Sequence, residues 1–421
     1  MIEKGDYRQV RDVLLASVRA VETEEIPLER SAGRILAGDI TAREDVPSFA
    51  RSPYDGYAFR AADTAGASAE HPVTLQVTDY IPAGEMPHGP VTAGTAAHLM
   101  TGAPVPEGAD AVLPFEKTLF TEKTVTILGP AAPGSNIILP GEDLQKGSLL
   151  SRGGRPIDAG LAGTMAGQGI FHPQVYRVVR VGVISTGTEL LEEGDPPSSG
   201  KIYNTNRYSL QTACARAGCH SVYLGTARDE KEMIRAMLQE ALKTCDAVLL
   251  SGGVSVGDYD CTPAAMEEAG VTMLARGAAL KPGMAGAYGI FNKYRQEFSA
   301  ENDPQTICDC IPVFALSGNP AACMTAFYAI ALPVLKKRMG LAEVLPAAMQ
   351  VRLGKDYQRK NQSARLLRGK IDFSAVCQEM TVFEKQGNQM LSSLAGSNAF
   401  ALIPADACVG AEDSVEAFLL E

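Results

Sequence analysis

At 421 residues and 46% hydrophobic content, the chain is long enough for about three domains with proper cores. A formal net charge of −11 argues against nucleic acid as a main partner, so any anionic ligand must be held by local amides and a few bases. No apolar run is long enough to span a bilayer, and the polar N-terminus MIEKGDYRQV lacks a signal-peptide core. Nine irregularly spaced cysteines without a CxxC pair fit reduced thiols in a cytoplasmic enzyme, and five scattered histidines make zinc or histidine-based catalysis a poor fit.

In chain order, the first predicted element is an amphipathic helix after Asp6, with Val10, Val13, Leu14, Val18 and Val21 on its buried face. From residue 44 to 143 prolines and glycines become frequent and extended runs short, with Pro104-Val105-Pro106 barring helix; this predicts a small inserted β domain. IDAGLAGTMAGQGI then returns to a small-residue helix expected to pack on the first one, so residues 1–43 and 144–175 make one split helical domain.

From residue 176 to 340 strands and helices alternate. Val178 to Ile184 reads as a strand ending in STGTE, and Asn206 as the cap of a helix carrying Leu210, Ala213, Cys214 and Ala217. After a strand at Val222 to Leu224, Asp229 and Glu232 form a capping box for a helix with Ile234, Met237, Leu238, Ala241, Leu242 and Cys245 in register. Val313 to Leu316 is a further strand, and SGNP opens a helix closing on Lys336, Lys337 and Arg338, where basic residues suit the helix dipole. Such units predict an α/β protein with a doubly wound parallel sheet. Residues 341–421 turn strand-rich again, a second small β domain.

The main site signal is DAVLLSGGVSVGDYD, Asp246 to Asp260. Four apolar residues without alternation fit a strand covered on both faces, and the turn after them falls where open α/β sheets bind ligands. It offers the hydroxyls of Ser251 and Ser255, the amides of Gly252 and Gly253, and two exit carboxylates, Asp258 and Asp260, before Thr262 caps a helix with Pro263 at its first position. Glu189 and Asp229 follow other strands of the same sheet. Two like charges 4 Å apart repel by about 4 kcal/mol at an effective dielectric of 20, so these four are either spread out or share a cation. Hard oxygen donors favour Mg²⁺, with Asp260 the leading ligand. Capping alone would also explain Asp229, and a solvated loop Glu189 or Asp258. Neither GxGxxG nor GK[ST] is present, which excludes the usual dinucleotide and P-loop fingerprints. An anion can still sit at the helix N-terminus of Gly318, Asn319 and Pro320, or beside Lys281 in the LKPG turn. Cys308-Asp309-Cys310 reads as a solvated loop rather than a metal site.

STGTEL (185–190), SGGVSVGDYD (251–260), LKPG (280–283) and SGNP (317–320) together resemble the MoeA-type molybdopterin molybdenumtransferases, whose animal relative is the gephyrin E domain. RSPYDGYAF (51–59), LMTGAPVPEGADAVLPFE (99–116), PGSNIILPGEDLQKG (133–147) and QGNQMLSSLA (386–395) extend the resemblance over most of the chain. It implies a helical segment split by a β insertion, a molybdopterin-binding α/β domain and a C-terminal β-barrel-like domain. It also implies a homodimer whose site lies between one subunit's α/β domain and the other's insertion. The implied substrates are adenylylated molybdopterin and molybdate, with Mg²⁺ as cofactor and AMP as a product. Other cofactor-synthesis proteins and acceptor enzymes are implied partners. Carried over by motif, Asp55, Thr101 and Asp143 contribute from the insertion, Glu189, Asp229 and Asp260 form the acidic set, and Lys281, Arg365 and Ser392 or Ser393 face the oxyanion.

This chain departs from the family's usual KPGK and PGNPVS: it has Met284 in place of a lysine, Ser317 for proline and Ala322 for serine. Tyr288 to Ile311 is also longer and more polar than the usual hairpin. Two other readings therefore stay open, a non-catalytic pterin-binding scaffold and a paralogue using another oxyanion such as tungstate.

Overall fold

The structure, a computed structural model, describes residues 1–254, 261–293, 309–374 and 379–420. The chain divides into two compact units, residues 1–38, 153–162 and 172–421 in the first and 39–152 with 163–171 in the second.

One large sheet organises the first unit. Its strands in chain order are β1 (Ile2–Asp6), β2 (Arg180–Thr186), β3 (His220–Ala227), β4 (Ala247–Ser251), β5 (Thr272–Lys281), β6 (Gly286–Asn292), β7 (Cys310–Leu316), β8 (Ala348–Arg352), β9 (Ala364–Ile371), β10 (Met380–Val382), β11 (Ala399–Ile403) and β12 (Ser414–Leu419). They follow the order β3-β2-β4-β7-β6-β5-β9-β11-β12-β8, with β1 beside β5 and β10 beside β9. The first four are parallel, as the alternating strand–helix pattern requires. The sheet as a whole is mixed, because β6 runs antiparallel to both β7 and β5. The C-terminal strands join through a short parallel contact, Leu280 opposite Ala364 and Lys281 opposite Arg365.

Burial explains the apolar runs. Val183 and Leu249 enter one core with α1 (Tyr7–Ala16), α3 (Thr205–Arg216) and α7 (Leu332–Arg338), whereas Ile184, Val248 and Leu250 enter the other with α4 (Lys231–Thr244) and α5 (Thr262–Glu268). Successive residues point to opposite faces, and both faces are covered. The C-terminal strands bury a core of their own around Val351, Leu367, Ile371, Ala401 and Ile403.

Several helix boundaries depart from the sequence expectation. Asp6 does cap α1, accepting from the Arg8 amide at 2.7 Å. The helix ends at Ala16, however, so Val18 and Val21 are buried by the following connection, and Val13 is exposed. α1 packs principally on β5 and α7 rather than on α2 (Ala159–Gly167), which crosses the division between the two units. Asn204, not Asn206, caps α3, accepting from the Arg207 amide at 3.2 Å. Glu230 stands at the cap position of α4 without a side-chain bond, and Cys261 at that of α5, leaving Asp229 and Thr262 to other partners. α6 (Pro320–Ala326) runs through a π turn, Phe327–Ala331, into α7. The basic residues closing α7 are not a solvated end. Arg338 is buried, and it bonds the Arg19 carbonyl at 2.9 Å and the Asp309 carboxylate at 2.7 Å. Asp309 is thus a structural counter-ion, not part of a solvated loop, and Cys310 opens β7; Cys308 lies outside the described residues.

The second unit is built on a six-stranded sheet in the order Ala111–Pro114, Gly56–Phe59, Thr95–Leu99, Val73–Ile81, Thr124–Ile127, Thr118–Phe120. Tyr57, Phe59, Leu75 and Val125 fill one side, and Ala58, Ile81, Leu99 and Val112 the other. Among the described residues, no helix in either unit is long and apolar enough to cross a membrane.

Candidate functional site

β2, β4 and β7 end side by side, and the turns leaving them are packed backbone to backbone. At Gly252, where φ is +105°, a Cβ would lie 2.3 Å from the Thr186 carbonyl oxygen. At Gly253, with φ +61°, it would lie 2.4 Å from Thr262 Oγ1. Only glycine fits both positions. The Gly252 amide donates to the Leu316 carbonyl at 3.0 Å, so it is spent on the fold and not available to an anion. Ser251 is buried, its carbonyl accepting from Thr186 Oγ1 at 3.4 Å. Thr262 acts as a strut rather than a cap, donating to the Gly252 carbonyl at 3.3 Å. Ser255, Asp258 and Asp260 lie outside the described residues.

Two of the expected carboxylates stand at neighbouring strand exits, Glu189 after β2 and Asp229 after β3. Asp229 accepts from the Thr188 amide at 3.1 Å and the Thr188 hydroxyl at 3.3 Å, so its role is to tie the β3 exit to the β2 exit. Glu189 is the next residue along, exposed, with its carboxylate turned back over Gly187. These are hard oxygen donors of the kind Mg²⁺ takes, and the Thr188 bonds to Asp229 tie the two strand exits that carry them. No group of three potential metal ligands occurs among the described residues. The loop after β2 also carries Glu192, whose carboxylate accepts from Tyr223 at 2.6 Å, Asn204 at 2.9 Å, Arg207 at 2.7 Å and also from Thr226. Burial pushes the Glu192 carboxyl up, but these donors overcome it and bring it down to about 2.

A cleft of about 1280 Å³ opens between the β4 and β7 turns, the β5–β6 turn and the C-terminal strands. Lys281, Met284, Gly253, Gly318, Asn319 and Arg365 line it, which brings together residues expected at the oxyanion from three separate motifs. Its described lining carries five cationic side chains, Lys4, Arg276, Lys281, Arg359 and Arg365, against one carboxylate, Glu384. In a chain of net charge −11, that is a local reversal of sign.

The N-terminus of α6 does not present its first-turn amides to this cleft as the SGNP motif suggested. The Ala321 and Ala322 amides both donate to the Asn388 carbonyl, at 2.9 and 3.2 Å, and the Asn319 amide to Ser317 Oγ at 3.2 Å. Pro320, the first helical residue, has no amide proton to give. The Gly318 backbone lies against Gly252, with 3.5 Å from a built Cβ to the Gly252 Cα. Asn206, within α3, donates to the Gly318 carbonyl at 2.9 Å and so fixes the turn instead of capping its helix.

On the C-terminal side Arg365 reaches the cleft, and three residues along the same strand, on its other face, Arg368 is fully buried. Arg368 Nε donates to Ser393 Oγ at 2.8 Å and one terminal nitrogen to the Gly387 carbonyl at 3.0 Å. Burial, and then the charge of Arg365, lower the Arg368 guanidinium to about 10. Of the two serines left open by the sequence, Ser393 is thus a buried partner of Arg368, while Ser392 is exposed on α8 (Leu391–Ala395) and does not line the cleft.

In the second unit, Asp55 and Thr101 do converge. The Asp55 carboxylate accepts the Thr101 amide at 2.5 Å and the Thr101 hydroxyl at 2.7 Å, and those two bonds hold its pKa below the ordinary value. Asp143 is exposed on a turn whose amide donates to the Val46 carbonyl at 2.9 Å.

Sequence patterns missed Lys4, Arg276, Arg359 and Asn388. The first three stand in no motif; pairing of β1 with β5 brings Lys4 and Arg276 to the cleft, and Arg359 comes from the connection between β8 and β9. Asn388 lies within QGNQ, but it acts through its backbone carbonyl, which leaves no side-chain signature.

Comparison with known proteins covers nearly the whole chain. Residues 6–169 match the family described as MoeA N-terminal region (domain I and II), 182–337 the Probable molybdopterin binding domain, and 350–420 the MoeA C-terminal region (domain IV). A molybdopterin molybdenumtransferase of Bacillus subtilis is 36% identical over 387 residues, 91% of this chain and 86% of the relative. One from Staphylococcus epidermidis is 34% identical over 389 residues, covering 91% and 88%. A crystal structure of the molybdopterin biosynthesis MoeA protein from Pyrococcus horikoshii has a TM-score of 0.83 at 30% identity, with 99% of both chains covered.

Proposed function

The chain belongs to the MoeA-type molybdopterin molybdenumtransferase family, a transferase of molybdenum-cofactor biosynthesis, and from that premise we propose that it inserts molybdate into adenylylated molybdopterin with Mg²⁺-dependent release of AMP. The observation that carries this is the cleft, whose described lining sets five cations against one carboxylate at the carboxyl edge of the sheet. The Lys281 ammonium and the Arg365 guanidinium would hold the oxyanion by charge-assisted hydrogen bonds, about twice as strong as neutral ones. The Gly253 amide, which has no acceptor among the described residues, adds a neutral donor at the β4 turn.

Mg²⁺ would be held by Glu189, Asp258 and Asp260, with Asp229 holding the Glu189 loop through Thr188. When bound, it supplies positive charge to phosphoanhydride oxygens, the main demand of phosphoryl chemistry. The protein's own part is to orient the nucleotide, face the oxyanion with cations and keep the glycine turns close. Asp55 and Asp143 belong to the second unit; we assign them, with Thr101, to a homodimer's shared site, as the resemblance implies. The division into a split helical segment, β insertion, α/β domain and C-terminal β domain belongs to the same reading, as does a cytoplasmic setting.

A variant of this function is acceptance of tungstate as well as molybdate. Both are tetrahedral dianions, and the lining cations do not distinguish them by charge. Lys281→Ala and Arg365→Ala should each raise the KM for the oxyanion while leaving affinity for adenylylated molybdopterin within about twofold; loss of pterin binding instead would move the oxyanion site elsewhere.

A further inference from the structure

We propose that Lys4 is an anion-binding residue of the cleft and supplies, beside Met284, the cation that the KPGM turn lacks; the inference rests on the cleft being the oxyanion site. β1 lies parallel to β5, with Ile2 opposite Ala275, Glu3 opposite Arg276, Gly5 opposite Ala278 and Asp6 opposite Ala279. Lys4 and Gly277, the pair between these, drop out of the ladder together, and both adopt positive φ, +47° and +72°. Glycine takes that conformation freely, but a residue with a side chain is strained by it. The strain is local to the point where the strand meets the cleft.

The kink places the lysine. A Cβ built on Gly277 would lie 3.2 Å from Lys4 Cγ and 3.1 Å from the Met284 carbonyl oxygen. The Lys4 stem and the Met284 backbone therefore approach each other across the bare face of one glycine. Met284 is fixed there, its carbonyl accepting the Ala278 amide at 3.0 Å. Lys4, Arg276, Lys281 and Met284 all line the cleft. Arg276 is already paired with Glu267 at 3.4 Å, whereas Lys4 is exposed and has no ion-pair partner among the described residues. Its charge is therefore available to a ligand. A compact ammonium with three rotatable donors suits a tetrahedral dianion or a terminal phosphate.

The test is calorimetric titration of the full-length protein with molybdate, comparing native protein with Lys4→Gln, Lys4→Arg, Lys281→Gln and the double variant Lys4→Gln/Met284→Lys. Losing one charge-assisted bond should weaken Lys4→Gln by about tenfold or more. Lys4→Arg should bind within a few-fold of native, and Met284→Lys should recover most of what Lys4→Gln lost. Thermal melts report folding for each variant. Native affinity in Lys4→Gln together with weakened Lys281→Gln overturns the assignment of Lys4 and leaves the cleft standing. Unchanged affinity in both single variants, or no binding by native protein, overturns the oxyanion cleft itself and Lys4 with it.

Discussion

Asp55 and Thr101, 46 residues apart, are joined by two bonds to a single carboxylate oxygen, from the Thr101 amide at 2.5 Å and its hydroxyl at 2.7 Å. Both donors favour the ionised acid, so the Asp55 pKa is depressed. A depressed carboxylate contributes stability above its unfolded pKa and loses it as pH falls through the folded value. Thr101→Ala should raise the Asp55 pKa partway to the ordinary value, since the amide bond remains. Carboxyl-carbon NMR titration checks this; no change on losing the hydroxyl would mean that the bond is not made in solution.

Arg177 and Asp246 form a two-pronged ion pair in the first unit, with two bonds at 2.6 Å. Burial pushes the Asp246 carboxyl up, but Arg177, the Arg180 amide and Arg338 reverse this and leave it lowered. Arg177→Ala should destabilise by about 2–3 kcal/mol, less than the roughly 3–5 kcal/mol of a fully buried pair, because Arg177 is a third exposed and Arg338 remains near. The difference from native should be largest at neutral pH and shrink as acid protonates Asp246. The Asp246 pKa lies below the ordinary 3.8, so the loss sets in only under that pH, and urea unfolding at pH 7 and at about pH 2 measures both values.

Gly252→Ala puts a methyl group against the Thr186 carbonyl at a φ of +105°. Backbone strain alone costs about 1–2 kcal/mol, and the overlap adds to it. The variant should melt lower and bind molybdate more weakly than native. Native melting with native affinity would show that the turn is looser than its packing implies.

If the proposed homodimer shares its sites, chains carrying Asp55→Ala and chains carrying Asp260→Ala should each be inactive. Mixed, they should regain roughly one active site per heterodimer. Full activity of a monomer at nanomolar concentration, checked by sedimentation, would contradict the shared site.

The parallel strands and their helices were legible in the sequence, because burial on both faces leaves unbroken apolar runs such as Ala247 to Leu250. Caps were less so. Asn204 and Asn206 both suit the start of α3, and only the Gly318 carbonyl, more than a hundred residues away, determines which one turns inward. Asp229 with Glu232 has the letters of a capping box, yet the Thr188 partner across the sheet edge claims the aspartate. The motifs pointed to Lys281, Gly253 and Arg365 in one site, and the cleft contains all three. Lys4 and Arg276 escaped notice because the pairing of β1 with β5 spans over 270 residues and has no local signature.

The most direct measurement is AMP release by the purified protein given adenylylated molybdopterin, Mg²⁺ and molybdate, compared with Asp260→Asn. A Mg²⁺-dependent burst that molybdate stimulates and Asp260→Asn slows by about two orders of magnitude, as loss of a Lewis-acid ligand would, is the expected result. Tight pterin-nucleotide binding with no AMP release, with molybdate or tungstate present, would contradict catalysis and identify the chain as a binding scaffold.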